Sequence, residues 1–217
     1  MITSKLLEYS LQIIRGTGIV KLFRPIIQRT PSYIFERNNH IWLSRNLDEE
    51  DINVKPKIPV SINFSRSEFN ETLNWIKKNN FMWGRYEKEI KVAIGEGHYW
   101  VNAKSDGKIV ALIKFGFDKV FISDFGKILQ FPRNVVFLYE TRVAQEFRGK
   151  KIASYFINET CKFCRDQGYT RGLTYIHEWN APSFQSFSNA GFRKIKTIYY
   201  YKILGMKFLT ANPADIC

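Results

Sequence analysis

The sequence predicts an α+β, or mixed α/β, domain organised on a single sheet. Three observations carry this expectation. Strand and helix periodicities follow one another as strand, two helices, three strands, helix, strand, helix, strand. An Asp106-Gly107 pair stands between two apolar stretches, a strong hairpin signal because the pair supplies the positive φ of a tight turn. Aromatics are abundant, with 18 Phe, 11 Tyr and 5 Trp, and such side chains suit pleated, half-buried surfaces.

Within Ile2–Ile14, Ile2, Leu6 and Ile13, and Leu7, Leu11 and Ile14, recur at helical spacing and predict an amphipathic helix. That helix suits contact with an anionic membrane surface through residues 2–14, or packing on the body of the protein or on a second subunit. Lys5, Glu8, Arg15 and Lys21 interrupt the apolar residues, so neither a signal peptide nor a transmembrane segment is expected. His40-Ile41-Trp42-Leu43 reads as a short strand. The stretch Asn46–Lys57, acidic at first and then carrying Pro56, marks the expected boundary between an N-terminal extension, 1–56, and the main domain, 57–217.

Beyond it the pattern is regular. Pro59–Phe64 alternates as a strand, Ser65 or Ser67 caps a helix through Lys78, and a second helix runs from Tyr86 to about Ile94. Tyr99–Lys104 and Lys108–Phe117 are the two strands of the hairpin, and Lys119–Arg133 reads as an irregular connection. Asn134–Val143 is largely apolar, as a central strand is. A helix follows over Gly149–Gln167, with Ile152, Ala153, Phe156, Ile157, Thr160, Phe163 and Cys164 on one arc and Ser154, Asn158, Lys162 and Arg165 opposite. Gly168 closes it. Gly172–His177 is a strand, Asn180–Asn189 a short helix ended by Gly191, and Phe192–Ile203 one or two final strands.

Composition narrows the function classes. The net charge of +13, from 33 basic and 20 acidic residues, suits a polyanionic partner, yet no block of five or six like charges occurs. No basic stripe interleaved with aromatics appears, so specific nucleic-acid binding is not expected. Cys161 and Cys164 form a C-x-x-C late in a helix, where a packing pair is the better reading than a redox or metal motif; no metal is expected. Three thiols and the absence of a leader pattern suit the cytoplasm.

Chemistry concentrates after the central strand, in Val143-Ala144-Gln145-Glu146-Phe147-Arg148-Gly149-Lys150-Lys151-Ile152-Ala153. A strand runs through a basic, glycine-containing loop into a helix, whose unpaired N–H groups and dipole favour phosphate. Downstream lie Asn180-Ala181-Pro182-Ser183-Phe184 and Phe187-Ser188-Asn189-Ala190-Gly191-Phe192. Together, in this order, the two segments resemble the motifs of the GNAT superfamily of acyl-CoA N-acyltransferases, over roughly residues 59–208. Arg148 and Ala153 fit the CoA-binding pattern Arg/Gln-x-x-Gly-x-Gly/Ala, while Lys151 stands where a middle Gly is usual.

The resemblance implies a central mixed, mostly antiparallel sheet with a V-shaped splay between two central parallel strands, Asn134–Val143 and Gly172–His177. It implies acetyl-CoA as co-substrate, held by main-chain groups at Arg142, Val143 and Ala144, by the loop Arg148, Gly149, Lys150, Lys151, Ile152 and Ala153, and by Asn180, Ser183 and Phe187. The acceptor amine, expected on a small metabolite such as an amino sugar, attacks directly. Glu140 is the first choice for the acid-base role and His177, followed by Glu178, the second. Phe187 replaces the Tyr that many relatives use to protonate the CoA sulfur, leaving Tyr139, Tyr175 and Tyr199-Tyr200-Tyr201 as hydroxyls among which nothing selects. A catalytically inactive CoA-binding or scaffold module is the alternative, and either a monomer or a homodimer is compatible with the sequence.

Overall fold

A computed structural model of the chain describes residues 35–64, 69–79, 81, 86–122, 124–203 and 206–210. The helix expected at residues 2–14 and the caps expected at Ser65 or Ser67 lie outside them. Residues 39–198 form one compact unit; residues 35–38 and 199–210 belong to a second.

The strands of the main sheet are β1 (Phe35–Asn46), β2 (Ser61–Ile62), β3 (Tyr99–Ser105), β4 (Lys108–Phe117), β7 (Val135–Val143), β8 (Arg171–His177) and β9 (Arg193–Ile203). β5 (Lys119–Ile122) and β6 (Lys127–Gln130) make a separate antiparallel hairpin. In the larger unit the order is β9-β1-β8-β7-β4-β3-β2. Every registered pair is antiparallel except β7–β8, which is parallel. In the smaller unit β9 pairs with β10 (Met206–Leu209), Met206 opposite Ile203, and the Arg37 guanidinium lies 5.7 Å from the Tyr199 ring centroid.

Helices cover both faces. α1 (Phe69–Lys78) and α2 (Tyr86–Gly95) precede β3, and α3 (Ile152–Asp166) and α4 (Ala181–Asn189) flank β8 in sequence. On one face Leu73, Trp75 and Ile76 of α1 bury against Trp100 and Leu112. The Trp75 indole donates to the Ile109 carbonyl at 2.8 Å, and Asn102 donates to the Thr72 hydroxyl at 2.9 Å. On the other face Ile152, Phe156, Ile157, Cys161 and Cys164 of α3 close the main core with Ile113, Phe115, Val136, Leu138 and Ile176.

Several expected boundaries are corrected. β1 is longer than the tetrapeptide expected, and its Trp42 and Leu43, with Leu47 just beyond, are fully buried in the unit that includes the sheet, so the body of the domain begins before residue 57. The strand expected over Pro59–Phe64 pairs only at Ser61 and Ile62. Lys119–Arg133 contains the β5–β6 hairpin. The helix expected from Gly149 starts at Ile152, because Gly149 (φ +74°) and Lys151 (φ +61°) are left-handed. Ser154 and Asn158, expected outside, are buried: Asn158 accepts from the buried Arg45 guanidinium at 2.8 Å and donates to the Ile52 carbonyl at 3.0 Å, so residues before 57 cover that side of α3.

Candidate functional site

The β7–β8 pairing is short. Val135, Val136 and Phe137 pair with Arg171, Gly172 and Leu173, after which β7 continues to Val143 and β8 to His177 without further pairing to each other. The expected splay therefore opens toward the ends of both strands, beyond Phe137. A separated strand edge leaves main-chain groups available to an extended ligand.

At the wide end of the splay β7 runs into the basic loop. Gln145–Phe147 forms a single 3-10 turn, the chain turns at Gly149, and α3 opens after Lys151 without a side-chain cap. The first amides of α3, at Ile152, Ala153 and Ser154, have no acceptor within the helix, which makes its start a cradle for anions. Lys57 donates its amide to the Lys150 carbonyl at 2.9 Å, the Lys150 ammonium lies 4.8 Å from the Phe147 ring centroid, and Arg148 Nε is 3.4 Å from the Val143 carbonyl. The Ala144 N–H is taken by the Val110 carbonyl at 3.0 Å, and Arg142, two residues earlier and opposite Leu112, turns its main-chain groups to the same β4 edge, so of the three residues Val143 is the one whose main chain faces the splay.

Midway along β7 a bulge shifts the register. Lys114 faces Glu140 and Phe115 faces Leu138, so Tyr139 is the extra residue. Tyr139 stacks on Phe137 while Glu140 lies opposite Lys114 and Arg142 opposite Leu112, so all four β7 side chains lie on the face that α1 covers. Glu140, only 10% exposed, pairs with Lys114 through Oε2 and with Arg142 through Oε1 at 2.9 Å. The Lys114 ammonium also sits 4.3 Å from the Trp100 ring centroid and 5.2 Å from that of Tyr139.

His98 anchors the bulge. Its Nε2 is 2.9 Å from the Lys119 carbonyl, which can only accept, so Nδ1 is left to accept from the Tyr139 hydroxyl at 3.1 Å. Burial holds the His98 imidazole below its ordinary value, with the Lys119 carbonyl and Glu96 opposing and Lys114 adding to the shift. Burial, followed by Glu140 and Glu96, raises the Tyr139 phenol, which stays neutral and donates internally. Gly116 is required here, since a Cβ on it would stand 2.8 Å from the His98 ring.

A second polar cluster occupies the same face farther along the sheet. His40 of β1 stands opposite His177 of β8, and Asp124, from the turn of the β5–β6 hairpin, reaches both. Asp124 Oδ2 is 3.3 Å from His40 Nε2 and 3.1 Å from His177 Nε2, and it accepts from the Tyr175 hydroxyl at 2.9 Å. Burial would raise the Asp124 carboxyl, but the contacts from His177, His40 and Tyr175 outweigh it and hold the carboxyl well below the usual carboxylate range. Phe125, Trp42 and Tyr175 wall the cluster, and Trp179, 72% exposed, stacks on the outer face of His177 with ring centroids 5.2 Å apart. Neither His40 nor Asp124 carries a chain-local signal that brings it to His177. Lys114, the one charge inside the apolar run that follows Lys108 in β4, does stand out in the sequence.

The remaining expected residues divide. Asn180 Oδ1 accepts from the Ser183 amide at 3.2 Å and so caps α4. Phe187 is buried in the main core, edge-on to Phe192, which makes its ring a packing element. Glu178 pairs with Asn39. The Tyr139 and Tyr175 hydroxyls are committed to His98 and Asp124. Cys161 and Cys164 are free, buried thiols, and burial pushes Cys161 up to about 12 against a weaker pull from Arg45.

A mixed sheet splayed beside an uncapped, basic helix start is an architecture suited to an extended, phosphate-bearing ligand. The profile of the Acetyltransferase (GNAT) family matches residues 67–192, more than half of the chain, and the chain belongs to that family. No curated protein matches it. Among solved structures it is similar to a GCN5-related N-acetyltransferase from Sphaerobacter thermophilus, with TM-score 0.50 and 13% identity, over 87% of this chain and 57% of that one. It is similar also to an acetyltransferase of the GNAT family from Colwellia psychrerythraea, with TM-score 0.56 and 17% identity, over 76% and 55%. A third is a GCN5-related glucosamine N-acetyltransferase region of a fungal multi-domain GH3 beta-N-acetylglucosaminidase, with TM-score 0.56 and 13% identity, over 89% and 23%. At these identities the likeness establishes the fold, and the chain spans little more than half of the length of the first two. Among the described residues no helix is long and apolar enough to cross a membrane.

Proposed function

We propose that the chain is an N-acetyltransferase that moves an acetyl group from acetyl-CoA to a primary amine. The observation that carries this reading is the release of β7 from β8 beyond Phe137, leading directly into the 148–153 loop. The pyrophosphate lies on the amides at the start of α3 with Arg148, Gly149, Lys150, Lys151, Ile152 and Ala153 around it, and the pantetheine arm follows the edge of β7 at Val143. Asn180 and Ser183, at the start of α4 three and six residues beyond the end of β8, complete the CoA contacts in this reading.

The amine nitrogen attacks the thioester carbonyl carbon, the C–S bond breaks, the amine gives up a proton and the departing thiolate takes one. Positioning and proton transfer are the enzyme's share of this work. Glu140 is the carboxylate for the amine proton, acting through water, because it stands on β7 beyond the point where β8 departs. His177 is the second choice, and its Nε2 is held by Asp124. With the Tyr139 and Tyr175 hydroxyls donating internally, water protonates the thiolate. The exposed, flat indole of Trp179 offers an apolar platform that suits the ring of an amino sugar.

The test is calorimetry with acetyl-CoA followed by turnover against an amine panel. Saturable binding that weakens at least tenfold in Arg148→Glu, with transfer to an amine, is the expected result. Glu140→Gln is expected to lower kcat at least ~100-fold, in keeping with the worth of a general base. It also loosens Lys114, so its melting temperature must be measured beside its rate. The engagement of both Glu140 oxygens favours one second reading, a CoA-binding module without catalysis. Binding of acetyl-CoA with no transfer to any amine would establish that instead.

A further inference from the structure

We propose that His40, Asp124 and His177 form a binding site for one divalent first-row transition ion, which clips the β5–β6 hairpin onto the sheet. The proposal is independent of the acyl-transfer reading. The three ligand atoms, His40 Nε2, His177 Nε2 and Asp124 Oδ2, all lie within 4.8 Å of one another, and they come from three separate elements.

Spacing is the first observation that favours an ion site. Ligands about 2.0–2.1 Å from a tetrahedral ion stand roughly 3.3 Å apart. The two nitrogen–oxygen separations are 3.3 and 3.1 Å, close to such edges, and the two imidazole nitrogens stand within 4.8 Å, a span that a small ring rotation shortens when an ion enters. A charge-assisted hydrogen bond between an imidazolium and a carboxylate is shorter, about 2.7–2.9 Å. Both imidazoles converge on one carboxylate oxygen, an arrangement that an ion enters once the two ring nitrogens turn from that oxygen toward a common point.

The surroundings agree. The Tyr175 hydroxyl on Asp124 is an outer partner of the kind that fixes ligating carboxylates. Phe125 and Tyr175 pack edge-on against the His40 ring with centroids 4.9 and 5.1 Å away, and Trp179 stacks on His177. His40 is 1% exposed while His177 and Asp124 are 27% and 31% exposed, so the cluster is closed at His40 and reachable from solvent at the other two side chains. Two imidazoles and one carboxylate suit zinc and its neighbours rather than magnesium or calcium, which favour all-oxygen sets. An ion here withdraws His177 from proton transfer and leaves that role to Glu140.

The experiment titrates the full chain, freed of metal by chelator, with Zn2+ in a calorimeter, follows its melting temperature, and records the visible spectrum with Co2+. One equivalent bound at micromolar Kd or tighter is expected, with a raised melting temperature and a four- or five-coordinate Co2+ spectrum lacking thiolate charge transfer. Asp124→Asn and His177→Asn, checked for native near-UV circular dichroism, should each weaken binding at least tenfold, and Cys161→Ser with Cys164→Ser should not. If one of the first pair fails to fold, the other decides. Absence of saturable binding overturns the proposal, as does binding unchanged in the folded variants or a thiolate band with Co2+.

Discussion

At Lys151 the backbone takes φ +61°, a region that an L side chain enters at a cost of roughly 1–2 kcal/mol. The family pattern carries a glycine in this place, and the angle supplies the physical reason. Lys151→Gly is therefore expected to raise stability by about 0.5–1 kcal/mol, the relief of strain being partly offset by backbone entropy. Chemical denaturation measures it, and a loss of stability would show that the lysine side chain makes a compensating contact. The buried Cys161 thiol, pushed up to about 12, holds almost no thiolate at neutral pH. Iodoacetamide should label the Cys161 peptide only when the protein is unfolded, and native labelling within minutes would contradict the packing role. The sequence exposes residues of this kind because their neighbours in the chain are their neighbours in space. His40, Asp124 and His177 stand far apart in the chain, and only the sheet register and the hairpin turn bring them together.

Elements were legible where one periodicity dominated. The β3–β4 hairpin follows its turn signal, with Asp106 at φ +49° and Gly107 at φ +74°. The β5–β6 hairpin was not legible, because Phe121 and Ile128 are apolar yet exposed and erase the alternation of two four-residue strands. That hairpin is tied to the bulge of β7 through His98, which joins the start of β5 to Tyr139. The folded His98 binds its proton less readily than the unfolded chain, whose value is near 6.5. As pH falls through ~6.5 the unfolded chain takes up a proton that the folded one refuses, so this stabilisation is full above that pH and shrinks below it. His98→Asn should flatten the stability profile between about pH 5 and 7, as urea unfolding at the two pH values would measure. An unchanged slope would sink this account. Gly116→Ala, which drives a Cβ into the same ring, should cost about 1–3 kcal/mol in the same assay.

For the molecule as a whole, the order of strands and helices was readable from the regular stretch after residue 57, and the family follows from it and from the paired motifs. The boundary was misplaced because charge and proline at Asn46–Lys57 look like a linker, whereas the segment covers α3. Ile52 accepts from Asn158, Asp51 pairs with Arg165 at 2.9 Å, and Lys57 donates to the loop at Lys150. Removal of residues 1–56 strips Trp42, Leu43 and Leu47 from the interior. Three large apolar side chains lost at about 2–5 kcal/mol each exceed or rival the stability of an ordinary domain. The truncated chain should therefore show no cooperative thermal transition, and a native-like melt by circular dichroism would restore the boundary to residue 57.

The extra residue in β7 carries one further consequence. Along the strand Val136 and Leu138 point into the main core, and so, three positions later, do the partners of Ile113 and Ala111, Thr141 and Val143. The strand thus beats in two rhythms offset by one step, with Tyr139 as the syncopation. Its first half is free to be selected for packing and its second half for polar contacts such as those of Glu140 with Lys114 and Arg142, because a change of phase separates them. A strand without that offset would have to surrender either the phenol or the carboxylate from the face that α1 covers.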